Sequence, residues 1–292
     1  MAAIIGLVTS AALALETDPE GWIAFDGSEG QIGLDGSVNG EPVRIIIDST
    51  VNTSVISTAF AERAGIRKDH KVEFEMGGSL ANKRVYASRR FEVEIDGSSL
   101  NFSGLPIVPG DGFDMILGHP VFEGAVVQID YPNQRFRFLS PEAVKFEGNT
   151  EVRRGPLGEL MVETAIEGNR AWLTLDTGLP GATLLTEDFV ISNGLEDKRI
   201  EPAQGTDSEQ TEADALQMLK LDRVELGPYR FEQFLARYGG DEKRTMDVGR
   251  GETGSRIRKD RSHHDGLLGY EVLKNFLITT DFSNGKLHLH VP

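Results

Sequence analysis

The alternation of hydrophobic and polar positions runs through the chain nearly twice. VRIIIDSTVNTSVISTAFAERAGI at 43–66 opens with an apolar strand. It then reads as an Asp followed by a hydroxyl residue, a tight turn, a second apolar strand and a short helix. AWLTLDTGLPGATLLTEDFVISNGL at 171–195 repeats that order, aligning Asp48 with Asp176, Phe60 with Phe189 and Gly65 with Gly194. FEVEIDG at 91–97 and DRVELG at 222–227 alternate and end on Gly, the pattern of a half-buried strand entering a hairpin. FDMILGHPVFEGAVVQIDYPNQRFRF at 113–138 matches HDGLLGYEVLKNFLITTDFSNGKLHL at 264–289 without a gap. Asp114 then falls on Asp265, Gly118 on Gly269 and Asp130 on Asp281, and Pro132-Asn133 and Asn284-Gly285 suit hairpin turns.

Each copy therefore holds short strands, Gly-marked turns and brief helices. The pattern predicts a mainly β, all-β fold of two lobes related by a pseudo-twofold internal repeat. The N-terminal lobe is expected over 16–147 and the C-terminal lobe over 148–292, with 140–152 as the crossover. The second copy is longer, chiefly through residues 239–263, a Gly-rich, charged, aperiodic stretch that reads as a long surface loop.

Composition narrows the function. The 292 residues carry a formal charge of −16, which disfavours nucleic acid and anionic lipid as partners and suits work in acid. The chain has no cysteine, so thiol nucleophiles, disulfides and thiolate metal sites are excluded. MAAIIGLVTSAALAL at 1–15 resembles a secretory signal with a small-residue cleavage site, although no Lys or Arg precedes its apolar core. The expectation is a secreted or periplasmic protein. No stretch is long and apolar enough for an integral membrane span.

Asp48 and Asp176 each end an apolar strand at a turn, and two facing lobes would bring them side by side. Two close carboxylates cannot both ionise cheaply, so they share a proton: one is poised as a general base, the other as a general acid. Ser49 and Thr177 are placed to hydrogen-bond across the lobes and hold the two turns in register, and Gly178 permits close backbone approach. No cofactor or metal is implied. His288 and His290 share one strand face without a third ligand, and His263-His264-Asp265 reads as loop. Asp114 and Asp265 read as turn caps, and Asp130 and Asp281 as hairpin-entry residues. HExxH, phosphate-loop and GxSxG patterns are missing from the sequence.

Asp176-Thr177-Gly178, the apolar-apolar-Gly triplets at 116–118 and 267–269, and their duplication resemble the pepsin-like and retropepsin-like aspartic proteases over residues 30–290. The resemblance implies a bilobal acid-protease-like β-barrel fold with Asp48 and Asp176 as catalytic residues. It makes Gly118 and Gly269 the glycines of psi-loop segments threading behind the turns, and puts a flap over the site from residues 71–90, with Gly77 and Gly78 near its tip. The implied activity is that of an aspartic endopeptidase. It would act as a monomer, because one chain holds both half-sites, and take an extended peptide or protein substrate in the inter-lobe cleft. The sequence departs from the pattern at Thr50, where the family has Gly, at Val51 and Leu179, where it has Ala or Ser, and in having no flap Tyr before Tyr86. These departures motivate an alternative, a catalytically inactive protease-like protein that binds peptide.

Overall fold

The computed structural model describes residues 21–74, 83–95, 97–110, 112–142, 144–200, 216–239 and 264–292. The signal-like segment 1–15, the flap-tip glycines Gly77 and Gly78, and nearly all of the loop 239–263 lie outside the described residues.

The chain is built almost entirely of strands. The first half holds β1 (Ile23–Ala24), β2 (Ile32–Val38), β3 (Glu41–Asp48), β4 (Val55–Ser57), the helix α1 (Thr58–Arg63), β5 (Lys68–Phe74), β6 (Lys83–Ser88), β7 (Phe91–Ile95), β8 (Ser98–Phe102), β9 (Pro106–Val108), β10 (Met115–Gly118), β11 (Val126–Asp130) and β12 (Arg135–Leu139). The second half holds β13 (Val152–Arg154), β14 (Leu160–Ile166), β15 (Asn169–Leu175), β16 (Thr183–Leu185), α2 (Glu187–Ser192), β17 (Arg199–Ile200), β18 (Gln217–Leu226), β19 (Tyr229–Tyr238), β20 (Gly266–Leu268), α3 (Tyr270–Leu273), β21 (Leu277–Asp281) and β22 (Lys286–His290).

The repeat in the sequence becomes a repeat in topology. In the first half β10 lies between β3, to which it is parallel, and β4, to which it is antiparallel; β4 runs parallel to β9. In the second half β20 lies in the same way between β15 and β16, and β16 runs parallel to β19. Two-residue turns close the β2–β3 and β14–β15 hairpins, at Asn39-Gly40 and Glu167-Gly168. All four residues have positive φ, the turn geometry that matches strand twist. The helices repeat as well: Ser57 caps α1 by accepting from the Phe60 N–H, and Thr186 caps α2 by accepting from the Phe189 N–H.

The lobes differ in how far their sheets extend and close. Alternation in the sequence anticipates a strand only over 222–227, but β18 begins at Gln217 and pairs with β19 along ten residues each. Leu219 and Leu221 are buried as Val224 and Leu226 are, but the phase of the alternation switches at 222–223, so the pattern over 222–227 does not reveal the earlier half of the strand. A further β14–β18 pairing closes the C-terminal sheet into a barrel, whereas β2 meets β7 only at Ser37–Glu94, leaving the N-terminal sheet a half-barrel.

A third sheet, in the order β1-β12-β11-β21-β22, joins the halves. At its centre β11 and β21 run antiparallel, and Gln128 faces Thr279, its own counterpart in the repeat. The pseudo-twofold axis therefore passes between these two residues, whose side chains hydrogen-bond at 3.0 Å. Below the sheet the apolar side chains of both halves merge into one core that includes Phe122, Phe276 and Phe282. Segment 147–149 runs along β22: the Asn149 side chain bonds both backbone groups of Leu289, and His288 Nδ1 meets the Glu147 carbonyl at 2.9 Å. That contact occupies the outer edge of the sheet, which would otherwise present unpaired backbone.

Candidate active site

Asp48 is the last residue of β3, and Asp176 follows directly on β15. Apolar alternation fixes both. Val43, Ile45 and Ile47 bury one face of β3, Leu173 and Leu175 are buried on β15, and each strand runs out of core at its Asp. Because β10 is in parallel register with β3, Gly118 lies beside Asp48; on the other side the Asp176 N–H donates to the Leu268 carbonyl at 3.2 Å.

The two turns grip each other. The Ser49 N–H donates to Thr177 Oγ1 at 3.0 Å, and the Thr177 N–H donates to Ser49 Oγ at 3.1 Å. Each hydroxyl then donates onward, Ser49 to the Leu175 carbonyl at 2.6 Å and Thr177 to the Ile47 carbonyl at 2.8 Å. Both residues are buried, so this four-bond ring locks the turns across the lobe interface in a place that water does not reach.

The segments threading behind the turns are equally symmetric. The His119 N–H donates to the Val51 carbonyl at 2.8 Å, and the Tyr270 N–H to the Leu179 carbonyl at 3.1 Å. A Cβ on Gly118 would stand far inside contact distance of the Val51 carbonyl oxygen, so only glycine fits there. Gly269 is looser: a Cβ would lie 3.0 Å from a Leu179 methyl and 3.1 Å from the Gly181 carbonyl oxygen. A Cβ on Gly178 would lie 2.5 Å from Asp48 Oδ2, which shows how closely the second turn approaches the first carboxylate.

Thr50 fits without displacing Asp48. Its N–H donates to Asp48 Oδ1 at 2.8 Å and its hydroxyl to the same oxygen at 2.6 Å. In the other lobe the Gly178 N–H donates to Asp176 Oδ1 at 2.9 Å. Asp48 keeps a partly exposed rim and Asp176 is 5% exposed, so the pair sits at the mouth of the interface with protein packed around its remaining sides.

Burial raises the proton affinity of both carboxyls. For Asp48 the Thr50 hydroxyl and the N–H groups of Thr50 and Val51 oppose that rise. Asp176 is pushed well above the usual carboxylate range, first by burial and then by the Asp48 charge, with only backbone N–H groups opposing. Two carboxyls in this setting cannot both ionise cheaply.

Among the described residues, the flap expectation meets an antiparallel pairing of β5 with β6, the arms on either side of the tip. Tyr86 lies on β6, 39% exposed, with Lys71 over its ring. Asp114 and Asp265 accept backbone N–H groups of Arg44 and Trp172, and Asp130 and Asp281 cap the turns at Asn133 and Asn284. No group of three His, Asp or Glu side chains gathers as a metal site among the described residues.

Three residues near the site carry no separate signal in the sequence. Gln31 donates from Nε2 to the Gly178 carbonyl at 2.6 Å, tying the N-terminal segment to the opposite turn. His119 is buried, stacks on Phe282 and meets the Leu157 carbonyl through Nε2 at 3.0 Å; burial lowers its proton affinity. Tyr131 is buried close enough for the Asp176 charge to act on its phenol. Their roles arise from contacts made across 38 residues or more, or across the lobe interface.

Two β lobes joined through a shared sheet, each offering an Asp turn that grips the other, define the bilobal acid-protease-like class. Residues 34–121 match the family model described as aspartyl protease. A retropepsin-like aspartic protease from Rickettsia conorii is similar at 17% identity, over 50% of this chain and 96% of that chain, with a TM-score of 0.31. No curated protein sequence matches the chain.

Proposed function

We propose that the chain is an aspartic endopeptidase working as a monomer, with Asp48 and Asp176 as its catalytic residues. The observation that carries this reading is the reciprocal Ser49–Thr177 grip, which sets the two carboxylates close enough for one to raise the other's proton affinity. The match of residues 34–121 to the aspartyl protease family model supports the same chemistry.

The reaction follows from the pair. The ionised carboxylate takes a proton from a water molecule as that water attacks the peptide carbonyl carbon. The protonated carboxyl donates its proton to the carbonyl oxygen, giving a neutral tetrahedral diol. Collapse of the diol returns a proton to the leaving nitrogen and breaks the C–N bond. The products are a carboxyl and an amine, and no covalent enzyme intermediate forms. Substrate binds extended in the cleft between the lobes, beneath the hairpin whose arms are β5 and β6.

Thr50 does not favour the inactive alternative, because its side chain holds Asp48 instead of displacing it. The test is cleavage of an unfolded protein across pH 3–8, followed by mass spectrometry, for wild type, Asp176→Asn and wild type with pepstatin. Acid-leaning cleavage that both controls abolish is the expected result. A well-folded wild type that cleaves at no pH would sink the reading.

A further inference from the structure

The two half-sites are symmetric in backbone and unequal in one side chain. Position 50 corresponds to position 178 in the repeat, and the two hold Thr and Gly. Asp48 Oδ1 accepts two hydrogen bonds from Thr50, one from the N–H and one from the hydroxyl at 2.6 Å. Asp176 Oδ1 accepts the Gly178 N–H, and among the described residues no side-chain hydroxyl donates to it. A Cβ at 178 would stand 2.5 Å from Asp48 Oδ2, so the matching side chain could enter the second lobe only by shifting the Asp48 carboxylate. This sequence therefore sets a side-chain hydroxyl donor at this position on one side of the pair only.

We propose that Thr50 is a positioning residue that makes the dyad chemically unequal: its hydroxyl holds the negative charge on Asp48 and leaves the shared proton on Asp176. This rests on the dyad reading above and assigns a role to each carboxylate within it. Asp48 becomes the base that takes the proton from water, and Asp176 the acid that protonates the carbonyl oxygen. A hydroxyl donor favours the ionised form of its acceptor, and a donor to a charged group is among the stronger hydrogen bonds.

The other titratable groups acting on the pair leave this difference in place. His119, from the segment behind the first turn, acts on Asp48, and its buried ring favours the neutral form. The Tyr131 phenol lies near Asp176 and is held neutral by burial. Neither donates a hydrogen bond to a carboxylate of the pair among the described residues. Thr50 is thus the side chain through which this sequence separates the two acids, and it stands where the resemblance leads one to expect glycine.

The experiment uses the full chain with aspartate carboxyl carbons labelled with 13C, titrated by NMR, with Asp48→Asn and Asp176→Asn identifying the two signals. In wild type the first proton of the pair is expected to leave Asp48. Thr50→Val and Thr50→Gly should both move that first step up by about one pH unit, as loss of one charge-assisted bond implies. Thr50→Ser, which keeps the hydroxyl, should hold the step in place. The acid limb of kcat/KM should move with the carbon signal, so that activity one unit below the wild-type limb falls about tenfold in the Val variant. A first step unmoved in both Thr50→Val and Thr50→Gly overturns the proposal while leaving the dyad intact. A Gly variant matching wild type while Val differs traces the effect to bulk and also overturns it. If the two carbons titrate as independent acids in wild type, the dyad reading fails and this assignment fails with it.

Discussion

Asp48 and Asp176 lie at a lobe interface, Asp176 buried and Asp48 partly exposed, and the fold keeps them there at a cost to its own stability. An aspartate whose proton affinity is raised by folding stabilises the native state fully below the unfolded carboxyl value of about 3.9 and loses that contribution as pH rises through its folded value. Asp176 is raised well above the ordinary range, so its ionisation opposes folding toward neutral pH. Asp176→Asn should therefore abolish turnover and yet melt at higher temperature than wild type at pH 7, with the difference shrinking toward pH 3. Thermal melts at the two pH values check it, and an Asn variant less stable at pH 7 would refute the sign. Ser49 and Thr177 behave differently, since each both donates and accepts in the buried ring. Thr177→Val leaves the buried Ser49 N–H without its acceptor and should cost about 1–3 kcal/mol. Thr177→Ser should recover most of that loss in denaturant unfolding.

At the scale of elements, β10 and β20 thread behind the two turns under unequal constraint. A Cβ at 118 meets the Val51 carbonyl, which is backbone held by the His119 N–H. A Cβ at 269 meets a Leu179 methyl that can shift and the Gly181 carbonyl at 3.1 Å. Gly118→Ala should thus destabilise by about 3 kcal/mol and Gly269→Ala by nearer 1 kcal/mol. Equal losses in urea unfolding would contradict the asymmetry. These elements are also where the sequence is most readable. The Asp turns, the apolar-Gly triplets and the Asp–aromatic hairpins are short local patterns that occur twice, and their second occurrence identifies them. What local pattern leaves hidden is pairing at a distance: that Glu167-Gly168 closes a hairpin as Asn39-Gly40 does, that β18 starts at Gln217, and that Gln31 reaches the opposite turn. Thr50 shows the limit most clearly. The residue type suggests a clash at a glycine position, and only the geometry shows its hydroxyl turned onto Asp48.

For the whole molecule, the shared sheet and the merged core should make the lobes unfold as one cooperative unit. β11 pairs with β21 along five residues, and Phe282 packs at 5.0 Å from Phe122 of the other half while His119 stacks over it. Phe282→Ala should cost about 3–5 kcal/mol and lower a single unfolding transition. Calorimetry resolving two transitions, only one of them moved by the substitution, would show lobes that unfold separately. The same coupling serves the proposed chemistry, because a half-site is useful only while the other stays in register across the axis at Gln128 and Thr279.

The shared proton is tested most directly by kcat/KM for one peptide substrate across pH, measured on wild type beside Asp48→Asn and Asp176→Asn. A pair that works with one proton predicts a bell for wild type: activity falls in acid as both carboxyls protonate and falls again as both ionise. Both variants should lie at background throughout. A wild-type profile that rises or falls in one direction only, or turnover that survives in either Asn variant, would contradict a two-carboxylate mechanism.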